Sequence, residues 1–134
     1  MRRKPQTIPA KRYTAVAFDA TAWDTHGMHD DVVDNTRMTC VTAGLYIITA
    51  SLEWASNPIG WRTALLRVNN ATNAAYDQCL AVNGAETILS ITAQHLLRQG
   101  DFVELIVRQN SGSPLDLGGG PHVETSLSVT WVAA

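Results

Sequence analysis

The segments Thr42-Ala43-Gly44-Leu45-Tyr46-Ile47-Ile48 and Leu96-Leu97-Arg98-Gln99-Gly100-Asp101-Phe102-Val103-Glu104-Leu105 each place a small or turn-forming residue before an apolar run. Gly44 and Gly100 can adopt backbone angles closed to other residues, and the β-branched and aromatic residues after them suit a pleated, half-buried surface. The chain closes with a third run of this kind, Leu127-Ser128-Val129-Thr130-Trp131. Together the three segments predict an all-β protein.

On either side of these segments, alternating apolar residues and turn signals predict eight strands joined by short connections. Asn83-Gly84 is the strongest hairpin signal among the turns. Eight short strands are the number found in a jelly roll, in which two sheets pack around one core. The predicted strands are Tyr13–Asp19, Arg37–Val41, Leu45–Ala55, Trp61–Val68, Ala74–Val82, Glu86–Leu97, Asp101–Gln109 and His122–Val132.

Length and composition indicate one soluble domain. A chain of 134 residues buries about two thirds of its unfolded surface and needs neither disulfides nor metals to do so. Its 46% hydrophobic and 16% charged residues are typical of a globular protein. No apolar run approaches the roughly 20 residues of a membrane span, and Gln6, Thr7 and Pro9 interrupt the place where a signal peptide needs an apolar core. We therefore expect no membrane partner and no secretion by that route.

The two cysteines, Cys40 and Cys79, fall in or beside predicted strands, where a free thiol behaves as a small buried hydrophobe. Their spacing resembles neither a CxxC pair nor a zinc knuckle. A disulfide remains an alternative if the two strands are neighbours.

Positive charge is concentrated in residues 1–12, which hold five of the ten basic residues and no acidic one. Residues 13–134 carry five arginines against twelve acidic residues. Because Pro5 and Pro9 keep the first segment extended, the pattern predicts a basic docking arm, 1–12, on a jelly-roll domain, 13–134. A frayed terminus is the alternative. Nucleic acid is a weaker partner, since the arm lacks interleaved aromatic residues and the acidic domain repels phosphate. The arm's cations are Arg2, Arg3, Lys4, Lys11 and Arg12.

Three motifs in order carry a family resemblance. Gly44-Leu45-Tyr46, the block Leu97-x-x-Gly100-Asp101-x-Val103-x-Leu105 and the closing strand Ser126-Leu127-Ser128-Val129-Thr130-Trp131 resemble the globular head of complement C1q and the related tumour necrosis factor (TNF) jelly rolls. Ala17-Phe18-Asp19 and Trp23-Asp24-Thr25-His26-Gly27-Met28-His29-Asp30 are closer still to C1q-like modules of tailed-phage virion proteins. The resemblance implies a sandwich of eight to ten antiparallel strands that packs as a tight homotrimer, with both termini near one end.

The departures from the animal members point to a function. The sequence shows no collagen-like stalk, no secretion signal and no long receptor loop. A trimeric jelly roll with a basic arm is similar to capsid decoration proteins and small fibre knobs. The resemblance therefore implies a non-enzymatic phage virion protein, assembled in the host cytoplasm, that decorates or cements a capsid or forms a head fibre. Its arm would bind the major capsid protein or another virion protein. The alternative is an adhesive tail-tip or fibre module that binds a host cell-surface glycan or receptor.

The densest cluster of candidate metal ligands contains His26, His29, Asp30 and Asp31. Imidazole and carboxylate groups bind divalent ions, and several carboxylates together bind calcium, as relatives of the resembled family do. The spacing is neither an HExxH helix nor a cupin-type HxH, and a solvated loop has the same composition. The prediction is a chain without a cofactor, with a structural calcium ion as the alternative.

No catalytic pattern stands out, so the sequence predicts no enzyme. His95 and His122 have no nucleophile motif nearby, and no GxSxG or Ser-His-Asp order is present. The glycine-rich segment 111–121 lacks the Lys-Ser/Thr pair and the helix that a phosphate cradle needs. We expect it to be a flexible or contact-forming connection between the last two strands.

Two tryptophans, Trp23 and Trp61, are candidate contacts for a glycan or receptor. Exposed aromatic rings stack on sugar rings or anchor protein interfaces. The competing interpretation is that tryptophans at strand ends cap the sandwich core, which we consider better suited to Trp54 and Trp131.

Overall fold

The computed structural model describes all residues from 1 to 134 and contains ten strands and no helix. The strands are β1 (Gln6–Ile8), β2 (Thr14–Ala15), β3 (Met38–Thr39), β4 (Gly44–Trp54), β5 (Trp61–Val68), β6 (Thr72–Leu80), β7 (Thr87–Leu97), β8 (Phe102–Gln109), β9 (Leu115–Leu117) and β10 (Ser126–Ala133). β1, β4, β7, β9 and β10 form sheet A, and the other five form sheet B, with antiparallel pairing throughout. The predicted jelly-roll sandwich of eight to ten antiparallel strands is confirmed. No helix with the length and apolar character of a membrane span is present.

The central strand of sheet A is β4. It pairs with β7 along its whole length, from Gly44 opposite Leu97 to Trp54 opposite Thr87. Its other edge pairs with β10 and, at Trp54, with β9. β9 in turn pairs with β1. In sheet B, β8 and β5 are central, with β2 and β3 on the far side of β8 and β6 on the far side of β5.

The hydrophobic core lies between the sheets and follows the alternation of the strands. Ile48 and Leu52 of β4 point into it and are fully buried. Val103, Leu105 and Val107 of β8, which alternate along the strand, are also fully buried there. Because each buried aliphatic side chain contributes about 1.5–3 kcal/mol, the core stabilises the sandwich without a disulfide.

Both cysteines are free thiols. Cys40 follows β3 and Cys79 lies in β6, and these strands pair with β8 and β5, so the condition for a disulfide is not met. Cys40 is buried, with its thiol 3.8 Å from the hydroxyl of Tyr46. Burial, and then this contact, raise the pKa of Tyr46 to about 12.

The N-terminal segment contributes a strand to sheet A, whereas the charge pattern predicted an arm outside the sandwich. Gln6 lies opposite Leu117 and Ile8 opposite Leu115. The Ile8 side chain is fully buried, and the backbone N–H of Lys11 donates to the carbonyl of Gln109 at 2.7 Å. The one isoleucine in a basic segment explains the difference, since its burial favours pairing over an extended arm. The sandwich therefore includes residues 6–8, which precede the predicted boundary between residues 12 and 13.

The remaining differences from the predicted elements lie at strand ends and in one connection. β2 and β3 contain two residues each where longer strands were expected, and β10 begins at Ser126 rather than His122. The glycine-rich connection 111–121 contains β9. The short alternation Leu115-Asp116-Leu117, with both leucines buried, is what pairs with β1.

Two glycines that mark the fold are required for different reasons. Gly100 has a φ of +91° and open space around it, so its backbone angle is the requirement. Gly44 is required by space, because a Cβ there would lie 2.4 Å from the carbonyl oxygen of Ala133 and 2.5 Å from Nε1 of Trp131. The start of β4 thus packs directly on the end of β10.

Asparagine substitution separates these two requirements. Asparagine tolerates positive φ better than other side chains, so we expect Gly100→Asn to be nearly neutral. Gly44→Asn should lower the free energy of unfolding by about 1–3 kcal/mol, because the new side chain displaces β10. Urea denaturation of the two variants beside the wild type checks this, and equal losses of stability would contradict it.

Candidate functional site

The connection between β2 and β3 holds Trp23 and all four predicted metal ligands. Asp24 organises it: its carboxylate accepts hydrogen bonds from the backbone N–H groups of Met28 at 2.9 Å and His29 at 3.0 Å. Burial opposes ionisation of Asp24, but these backbone hydrogen bonds outweigh it and lower the pKa below the ordinary value of 3.8. The acid therefore serves to close a turn.

His29 bridges two parts of the same connection. Its side chain is almost completely buried. Its Nδ1 lies 3.0 Å from the carbonyl oxygen of Arg37, and its Nε2 lies 3.1 Å from that of Phe18. Because both ring nitrogens face backbone carbonyls, neither presents a free lone pair to a metal ion.

The other predicted ligands also have local partners or point to solvent. Asp30 accepts from the backbone N–H groups of Val32 and Val33, and Asp31 accepts from the hydroxyl of Thr21. His26 is exposed. No group of three or more histidine, cysteine, aspartate or glutamate side chains is placed to hold a metal ion. Calcium binding stays a prediction, and the residues present do not fit it.

A groove of about 470 Å³ runs between this connection and β10. Phe18, Met28 and Trp131 contribute apolar surface to it, and Trp23, which is 80% exposed, stands at its side. β10 pairs with β4 on one edge only, so no strand covers its other edge from Ser126 to Ala133. Trp131, expected to cap the core, is 43% exposed instead, whereas Trp54 is fully buried as expected.

A buried carboxylate, Glu53, fixes the connection between β9 and β10, and it was not among the residues predicted from the sequence. Its Oε1 accepts from the backbone N–H groups of His122 at 3.1 Å and Val123 at 3.2 Å, and lies 3.1 Å from Nδ1 of His122. Its Oε2 is buried without a partner. A Cβ at Gly120 would fall 1.4 Å from that oxygen, so any other residue there would have to displace the carboxylate. The signal in the sequence that could have identified Glu53 is its position within a strand of otherwise apolar and small residues.

Trp61 lies in a second, smaller pocket of about 260 Å³ on the outer surface of sheet B. The indole is 48% exposed. The backbone N–H of Trp61 donates to Oδ1 of Asn110 at 2.6 Å, and this bond fixes the start of β5 against the end of β8. The pocket is lined by Trp61, Thr63, Gln78, Arg108, Gln109 and Asn110.

The cations predicted for the docking arm divide into two groups. The guanidinium of Arg2 donates to the carbonyl oxygens of Lys4, Pro5 and Ala17, so it is engaged within its own chain. The other four side chains are exposed. These are Arg3, Lys4, Lys11 and Arg12.

From Leu45 to Ser51 of β4, the outer surface of sheet A bears no charged side chain, and we call this region the uncharged face. The next row contains Glu53, whose carboxylate is buried against the connection between β9 and β10. Residues directly opposite each other on antiparallel strands share a face, so β4, β7 and β10 present rows such as Gln94, Ile47 and Thr130. Leu96 is 72% exposed at one end of this face. The members are Leu45, Ile47, Thr49 and Ser51 of β4, Ser90, Thr92, Gln94 and Leu96 of β7, and Ser126, Ser128, Thr130 and Ala133 of β10.

No family model matches the sequence, and no curated protein matches it. Solved structures do. The globular domain of a zebrafish complement 1qA protein is 15% identical, with a TM-score of 0.62 over 95% of this chain and 90% of that one. Eiger TNF from S. frugiperda is 14% identical, with a TM-score of 0.60 over 96% and 91%. Murine APRIL is 11% identical, with a TM-score of 0.57 over 85% and 98%.

These similarities establish the fold alone. The chain has the jelly roll of C1q and TNF-family globular domains, which confirms the resemblance predicted from the three motifs at the level of the fold. The closer resemblance to tailed-phage virion modules stays a prediction.

The role of Asp24 can be tested through pH. Its ionised form contributes stability that is fully present above the unfolded pKa of 3.8 and is lost as pH falls through the lower folded pKa. We expect Asp24→Asn to lower the free energy of unfolding by about 1 kcal/mol at pH 7. The difference from wild type should shrink as pH falls below 3.8. Urea denaturation across pH measures it.

Asp34→Asn is the matched control, because this exposed carboxylate accepts no hydrogen bond from a backbone N–H group. A stability difference for Asp24→Asn that stays constant into the acid range would show that the carboxylate does not close the turn in its ionised form.

Proposed function

We propose that this protein is a non-enzymatic structural protein of a phage virion that works as a homotrimer, in the form of a capsid decoration or head-fibre protein. The observation that supports the homotrimer most directly is the uncharged face of sheet A. A sheet surface facing water normally bears charged side chains, whereas the centres of subunit interfaces are depleted of them. The resemblance to C1q and TNF jelly rolls implies the same trimer.

Two further observations support a structural rather than a catalytic role. The imidazoles of His29 and His122 contact backbone carbonyls and a carboxylate, and no hydroxyl or thiol is hydrogen-bonded to an imidazole. That pairing is what activates a serine or cysteine nucleophile. The four exposed cations of residues 1–12 supply a charged surface that an acidic virion protein would fit.

The trimer is tested at the centre of the uncharged face. Thr49 lies between Thr92 and Ser128 there. We expect light scattering to give three times the 14.6 kDa subunit mass for the wild type and a single subunit mass for Thr49→Lys. Three buried, unpaired ammonium groups would oppose association.

Thr72→Lys, at an exposed position of β6 in sheet B, is the matched control and should remain a trimer. A monomeric wild type would overturn the trimer. A trimeric Thr49→Lys variant would exclude this face as the interface.

Docking through the basic segment is tested by neutralising charge rather than by deletion, because deleting residues 1–12 would also remove β1. We expect replacement of Arg3, Lys4, Lys11 and Arg12 by glutamine to lower the amount of this protein in purified virions severalfold, because attraction to an acidic partner is lost. Quantitative mass spectrometry against the major capsid protein measures it. Arg98→Gln, at an exposed cation elsewhere, should have no effect.

An unchanged amount in the virions would contradict docking by these cations. Absence of the wild-type protein from the virions of the phage that encodes it would overturn the virion role.

The second candidate function is that of an adhesive module that binds a cell-surface glycan. The pocket beside Trp61 favours it, because an indole with an exposed surface next to polar side chains is an arrangement that suits a sugar ring.

A further inference from the structure

We propose that the pocket beside Trp61 binds an acidic sugar, a pyranose that carries a carboxylate, as the terminal or branching unit of a glycan. The inference rests on the second candidate function, adhesion to a glycan, and names its ligand class. It does not depend on the trimer, because the pocket lies on sheet B and the uncharged face lies on sheet A.

Strand register brings the polar groups of the pocket together. Thr63 of β5 lies opposite Gln78 of β6 and opposite Arg108 of β8. Residues opposite one another in antiparallel strands share a face. The neighbouring Ala64 and Val107 belong to the core, so Thr63, Gln78 and Arg108 project on the outer side of the sheet. Three adjacent strands therefore aim a hydroxyl, an amide and a guanidinium at one cavity.

The guanidinium of Arg108 is held in place by a neighbouring aromatic ring, and no acceptor within the chain bonds to it. Its central carbon lies 5.3 Å from the centroid of the Tyr13 ring, a cation–π contact that orients the planar group. It takes part in no salt bridge and no hydrogen bond within the chain, and its Nε is buried without a partner. A buried donor of this kind costs free energy until an acceptor reaches it. The fork of N–H donors matches the two oxygens of a carboxylate.

The one charged side chain in the lining of the pocket is the cation Arg108. No acidic side chain lines it. Lys11 is held beside it by the hydrogen bond from its backbone N–H to the carbonyl of Gln109, and Arg12 follows in the chain. These cations favour an anionic ligand over a neutral one, although their exposure makes the contribution dependent on salt.

The amide of Gln78 and the indole of Trp61 indicate which groups the ligand carries besides its carboxylate. Oε1 of Gln78 accepts from the hydroxyls of Thr63 and Tyr76 at 3.1 Å each, which leaves its NH₂ group as a donor toward the cavity. Trp61 presents a partly exposed ring at the rim. Such a ring packs on the C–H surface of a pyranose, while the polar groups bind its hydroxyls.

The size of the cavity limits the ligand to one sugar unit at a time. Sites for drug-sized ligands are about 300–1,000 Å³ and mostly apolar. This cavity of about 260 Å³ has one hydrophobic residue, Trp61, in its lining. A lipid or an extended aromatic compound would leave the polar groups unpaired, whereas an acidic pyranose provides acceptors for them.

The experiment uses the full-length protein and a panel of short oligosaccharides that contain glucuronate, galacturonate or sialate, each beside its carboxyl-reduced neutral counterpart. Binding is measured by saturation-transfer NMR and titration calorimetry. We expect at least one acidic member to bind roughly tenfold more tightly than its neutral counterpart, since loss of a charged hydrogen-bonding partner has about that effect. Raising the salt concentration should weaken binding.

Arg108→Gln and Trp61→Ala should each lower the affinity at least tenfold, and Trp61→Phe should retain part of it because an aromatic ring remains. Arg98→Gln removes an exposed cation outside the pocket and should change nothing. Equal urea midpoints for Arg108→Gln and the wild type would establish that the loss is local.

Two results would overturn the proposal: no binding by any acidic member, or equal binding of the neutral counterparts. If the wild type bound host cells and Arg108→Gln bound them equally well, adhesion would stand and this pocket would be excluded as its site. Light scattering of the same samples reports the trimer separately, so failure of one proposal does not obscure the other.

Discussion

Pairing of β4 along both of its edges is the constraint on which the rest of the structure depends. The strand is eleven residues long. It pairs with β7 along its whole length on one side, and on the other with β10 from Leu45 to Ser51 and with β9 at Trp54. This fixes which side chains face the core and which form the uncharged face, because a shift of one residue would exchange the two sets. The same register brings Glu53 under the connection between β9 and β10, where its carboxylate holds that connection.

The fold was predictable because its longest strands have consistent local signals. β4, β7 and β8 each combine apolar alternation with β-branched residues, and their predicted bounds agree with the observed ones to within one residue. β1 and β9 were not predictable in this way. Each has three residues, too few to show a period, and they lie among prolines and charges or among glycines. Only the partner strand makes either of them favourable, and the partner is distant in sequence.

The candidate sites, like the strands, were predictable only where the signal lies in residues that are neighbours in the sequence. A local pattern of histidines and acids predicted a metal site, but Asp30 and His29 of that pattern are used in local hydrogen bonds instead. Trp61 was predicted as a candidate contact because an exposed aromatic ring can stack on a sugar ring or anchor a protein interface. Its partners Gln78 and Arg108 could not be found from spacing, because they lie on two other strands and meet only through register. Polar groups that lie opposite each other in a sheet leave no signature in the sequence.

The pairing of β1 with β9 has a consequence for how the chain folds as it is made. The hydroxyl of Thr7 donates to the carboxylate of Asp116, and the two residues are 109 positions apart. At a synthesis rate of about 5–20 residues per second, β1 leaves the ribosome on the order of ten seconds before its partner exists. β10, which pairs with the same edge of β4 as β9, is made later still. β1 is therefore the earliest made of the ten strands and among the last to be paired, and the sandwich closes only after β10 has been made.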